Sequence, residues 1–91
     1  MTLHTLNASP GSAAFTDCLR MIAAGDALLL LGDGVYAALA GTGARAQLDA
    51  CGARLCVLRE DATAAGVLER VAGTELIDID ADGDFDLFGG Y

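Results

Sequence analysis

Three thiols, one imidazole and a run of carboxylates are the side chains of this 91-residue chain that could do chemistry. Cys18, Cys51 and Cys56 are odd in number and carry no C-x-x-C spacing. That suits a reducing compartment better than a disulfide framework or a zinc site. Cys18 is the one with a catalytic reading. A thiol carries sulfur only as thiolate, which a helix N-terminus or a nearby cation favours. Cys18 falls about two turns into a predicted helix, with Asp17 adjacent and only Arg20 as a cation close in sequence. The competing reading packs it with Phe15, Leu19 and Ile22 as a small apolar side chain. Packing is the expected role of Cys18, and sulfur transfer the alternative. Cys56 sits in the apolar residues 55–58 and is expected to be buried and inert. Cys51 precedes Gly52, and nothing distinguishes it. His4 is the only histidine, which excludes a histidine metal site, and neither Ser9 nor Ser12 has a partner at a hydrolase spacing.

Two glycine-containing segments imitate ligand sites. Gly32, Gly34 and Ala37 match G-x-G-x-x-A between a predicted strand and helix, where backbone amides can hold a pyrophosphate. Asp33 would then sit beside the phosphates, and the next strand ends without a ribose-binding acid at the right distance. A tight strand-to-helix turn is the preferred reading, and a stand-alone nucleotide-binding domain the alternative. Asp78, Asp80, Asp82, Gly83, Asp84 and Asp86 follow the opening of a calcium loop. The closing ligand position falls on Gly89, where a bidentate Glu is needed. A strand end with a solvated acidic tail is expected, with no metal and no cofactor.

The elements that must carry these residues follow from the apolar pattern. Residues 2–6 read as a strand closed by Asn7-Ala8-Ser9-Pro10-Gly11. Ser12 then caps a helix to about Ala24, its stripe Phe15, Cys18, Leu19 and Ile22 facing the core. Residues 27–31 form an unalternating apolar run, as a strand covered on both faces does. A short helix over 35–40, another over 44–51, a strand over 54–58, a weak helical region over 62–71 broken by Gly66, and a strand over 75–79 complete the order. Alternation of strand and helix predicts an α/β fold: one three-layer α/β/α domain spanning 1–91, with about four parallel strands and helices on both faces.

Composition restricts the partners. The chain is 54% hydrophobic, so a folded domain is expected, and thirteen acids against five arginines give a formal charge of −8. That balance repels phosphate backbones and excludes direct nucleic-acid binding. No signal peptide or membrane span is legible, so a cytoplasmic protein is expected. A domain this small gains much from association. Val35, Tyr36 and Leu39, on the short helix after Gly34, are the interface candidates, with Tyr36 the anchor.

Leu3-His4-Thr5-Leu6-Asn7 with Ser9-Pro10, Cys18-Leu19-Arg20, Gly25-Asp26-Ala27-Leu28-Leu29-Leu30 and Asp33-Gly34-Val35-Tyr36-Ala37-Ala38 stand in a specific order and spacing. Together with Glu60-Asp61, Ala65-Gly66 and a closing Asp80, Phe85 and Leu87, they resemble the TusB/DsrH family of sulfur-relay subunits, within the DsrE-like superfamily. The resemblance implies a non-catalytic subunit that assembles with TusC-like and TusD-like homologues into a dimer of heterotrimers. Such a complex passes persulfide sulfur from TusA-like to TusE-like proteins, toward 2-thiouridine at the tRNA wobble position. In the other branch a DsrH-like subunit joins DsrE-like and DsrF-like partners and serves DsrC in sulfur oxidation. A cysteine at the place of Cys18 occurs in some members, so the resemblance also implies a possible sulfur site there.

Overall fold

The residues with the least polar character build the middle of a sheet. In the computed structural model, which describes residues 2–78, strand β2 (Ala27–Leu30) is buried along its whole length. It lies between β1 (Leu3–Leu6) and β3 (Arg54–Leu58), and β4 (Glu75–Ile77) pairs with β3. All pairs are parallel and the spatial order is the chain order. An inner parallel strand has both faces covered, which is why β2 does not alternate. Edge strand β1 does alternate, and only its Leu6 is buried. The α/β class and the four-stranded parallel sheet are those expected.

Helix α1 (Ala13–Met21) begins where predicted, because the Ser12 hydroxyl accepts the Phe15 amide at 3.2 Å. It ends three residues before Ala24. There the Asp26 carboxylate takes the Ala23 amide at 3.0 Å, and the chain has already turned extended at Ile22. The short helix expected over 35–40 is instead a 3₁₀ segment, Gly32–Ala38. Helix α2 (Gly43–Ala50) is capped by Thr42, whose hydroxyl accepts the Arg45 amide at 3.3 Å. Helix α3 (Arg59–Ala64) starts directly from β3, and a 3₁₀ turn at Leu68–Arg70 leads to β4. Among the described residues no helix is long and apolar enough to cross a membrane.

The helices share one face. Phe15 of α1, Val35 of the 3₁₀ segment, Leu48 of α2 and Ala62 of α3 form one cluster with Leu6, Leu28, Leu30, Leu55 and Val57. Register explains the grouping: Leu6, Leu30 and Val57 are neighbours across three strands, and Leu28 and Leu55 across two. Leu29, Cys56 and Ile77 point the other way and form a second, smaller cluster. Each crossover moves one strand in the same direction, so right-handed connections keep every intervening helix on the same side. The second helical layer of the expected three-layer arrangement is not among the described elements. The calcium-like run lies outside the described residues except Asp78, whose carboxylate accepts Arg59 Nε at 2.8 Å.

Candidate functional site

Cys18 lies on the side of α1 that approaches the main core, half-buried and packed against it with Leu19 and Ile22. It also lines a cavity of about 420 Å³ along β1 and α1, whose walls include His4, Asn7, Ala14, Asp17 and Met21. Burial pushes the Cys18 thiol up, and Cys51 pushes it further the same way. Arg20 reaches toward Asp17 at 3.8 Å. The arrangement favours a protonated thiol that packs. Cys56, fully buried in β3, is pushed up to about 11 by burial and by its contact with Glu75, to which Sγ donates at 3.5 Å. Cys51 closes α2, its Sγ donating to the Gln47 carbonyl at 3.3 Å.

A hydrogen-bonded carboxylate centre absent from the sequence reading stands beside that cavity. Asp26 is buried, and its carboxylate collects His4 Nε2 at 2.9 Å, the Thr2 amide at 3.0 Å and the Ala23 amide at 3.0 Å. These hydrogen bonds hold its pKa down to about 2, the His4 contact being the largest contribution. Asp26 thereby ties the start of β1 to the turn after α1. The available signal was an acid placed directly before an apolar strand, which names neither partner.

At the opposite end of the strands, the G-x-G-x-x-A residues serve the chain itself. Gly32 has φ +53, and a Cβ there would stand 1.9 Å from Asn7 Oδ1. A Cβ on Gly34 would stand 2.1 Å from the Leu6 carbonyl oxygen. The glycines let the 3₁₀ segment press onto the end of β1, and that space is filled. The Gly32 amide, which a pyrophosphate would use, donates to Asp61 Oδ2 at 2.7 Å. No α-helix begins there either. The nucleotide-binding alternative has no cradle.

Of the interface candidates, Tyr36 alone presents a large apolar surface, at 38% exposed. Leu39 is half-buried against the core. Val35 is completely buried, which corrects its placement at a surface: its methyls fill the core between the 3₁₀ segment and the sheet. Arg45 fixes the end of this segment, its guanidinium donating to the Ala38 carbonyl at 2.8 Å and to Asp49 at 3.1 Å.

The family described as DsrH like protein matches residues 8–81. Protein TusB of Pectobacterium parmentieri is 47% identical over 70 residues, covering 77% of this chain and 74% of that protein. Protein TusB of Erwinia tasmaniensis is 44% identical over the same length and shares. Protein TusB of Escherichia coli O81 is 40% identical over 78 residues, covering 86% of this chain and 81% of that protein. A match of this extent, on a sheet whose strand ends carry the quoted segments, places the chain in the TusB/DsrH family.

Proposed function

We propose that this chain is a structural and docking subunit of a cytoplasmic sulfur-relay complex of the TusBCD type. In this reading it supports persulfide transfer toward 2-thiouridine at the tRNA wobble position. The observation that carries it is the similarity to TusB proteins over most of both chains. Its partners are a TusC-like and a TusD-like homologue in a dimer of heterotrimers, with TusA-like and TusE-like proteins meeting the assembled complex. A non-catalytic role is supported by the thiols, since two of the three have raised pKa values. Tyr36 is the proposed anchor of the subunit contact. If this chain does carry sulfur, Cys18 is the residue, because its cavity opens to solvent along α1.

The family match under the DsrH description favours a second reading, a subunit of a DsrEFH-type complex in sulfur oxidation. Deleting the gene separates the two. Loss of 2-thiouridine from tRNA is expected for the relay to tRNA, and retention of the modified base with impaired sulfur oxidation assigns the other branch. Co-expression with the two homologous subunits should yield one co-eluting complex under reducing conditions.

A further inference from the structure

The hollow beside Tyr36 is the part of the docking edge with the most specific chemistry. It is a cavity of about 230 Å³ lined by Gly32, Asp33, Tyr36, Asp61, Ala64 and Ala65. It lies where β2 and β3 end, between the 3₁₀ segment and α3. Small residues floor it, and the aromatic ring of Tyr36 forms a partly exposed wall. Asp61 is held in place because Oδ2 accepts the Gly32 amide, which leaves Oδ1 uncommitted.

Arg20, Arg45, Arg54 and Arg59 pair with Asp17, Asp49, Glu75 and Asp78. Among the described residues, no basic side chain pairs with Asp33 or Asp61. A concave site with two uncompensated carboxylates and an aromatic face is complementary to a guanidinium or ammonium group. Such a group bonds carboxylate oxygens and stacks on a tyrosine face. Tyrosine and arginine are also the residues that most often concentrate binding energy at interfaces.

We propose that this hollow is a socket for a basic side chain of a homologous partner subunit, held between the Asp33 and Asp61 carboxylates and against the Tyr36 ring. The inference rests on the reading of the chain as a relay subunit. It adds the chemistry of the contact: the partner must present arginine or lysine at the C-terminal edge of this sheet. Because the carboxylates flank a partly exposed site, the contact is salt-sensitive. The whole-chain charge of −8 adds long-range attraction for a basic patch.

The test uses the co-expressed complex, with affinity measured by reassembly of the tagged chain and the two homologous subunits at low and high salt. Asp33→Asn should weaken assembly about tenfold at low salt, Asp33→Arg should weaken it further, and high salt should narrow the gap to wild type. Asp33 is exposed, and its carboxylate makes no hydrogen bond among the described residues, so these variants should leave the fold intact. Asp61→Asn should weaken assembly in parallel, with unchanged thermal melting confirming that the Gly32 contact survives. Equal affinity of wild type, Asp33→Asn and Asp33→Arg at low salt would overturn the socket while leaving the subunit reading in place. Failure of the wild-type chain to assemble with either homologue would overturn both.

Discussion

Gly34 lies over the carbonyl of Leu6 so closely that no side chain fits between the 3₁₀ segment and the end of β1. The same carbonyl accepts the Leu31 amide at 3.1 Å. Gly34→Ala would drive a methyl carbon to 2.1 Å from a backbone oxygen, which cannot rotate away. The expected cost is about 3 kcal/mol or more, from forced backbone displacement. A urea melt of the variant should show a much lower midpoint, and an unchanged midpoint would refute the packing role assigned to this glycine.

Asp26 makes stability depend on acidity in a defined direction. Its folded pKa of about 2 lies below the ordinary carboxylate value of about 3.9. The stabilisation is therefore fully present above about pH 4 and is lost as the pH falls toward 2. Asp26→Asn should lower the urea midpoint at neutral pH, and the gap to wild type should shrink through that acidic window. A constant gap across the window would show that the carboxylate charge is not what holds β1 in place.

Thiol reactivity should follow burial. At neutral pH, Cys56 at about 11 carries about a hundredfold less thiolate than at the usual 9.0. Alkylation of the native protein should leave Cys56 unlabelled until denaturant is added, with Cys18 slower than a free thiol. Cys18→Ser should cost about 1 kcal/mol, by placing a hydroxyl where a half-buried sulfur packed, and should leave most sulfur transfer intact. Mass gain of one sulfur on the native chain, abolished by Cys18→Ser alone, would instead make Cys18 a carrier.

Val35 and Tyr36 are adjacent in sequence and opposite in consequence. Val35→Ala removes methyls from a fully buried site and should cost about 2 kcal/mol of stability. Tyr36→Ala should leave the melting temperature of the chain nearly unchanged while weakening assembly about tenfold or more, as expected for an interface hot spot. Reversed effects would place Tyr36 in the core.

Local signals were legible in the sequence and relations between distant residues were not. Ser12 announced α1 because its bond reaches only Phe15, and residues 27–30 announced an inner strand by their lack of alternation. The His4–Asp26 pair spans 22 residues, and nothing at either position names the other. Val35 and Tyr36 share the segment after Gly34, yet the 3₁₀ geometry turns Val35 into the core and Tyr36 outward. That segment's geometry depends on the Gly34 approach to Leu6, a tertiary contact. Which face the helices occupy follows from strand order, and strand order has no local signature.

Because each described strand pairs only with its neighbours in chain order, every described pairing forms as soon as the later of two consecutive strands is made. The β1–α1–β2 unit has its ladder complete once Leu30 has emerged from the ribosome, and β3 and β4 are added to a finished edge. Loop closures are confined to neighbouring units, which keeps the entropy of each step small. Synthesis and folding can therefore proceed in the same direction, with β4 the last of the described strands to be placed.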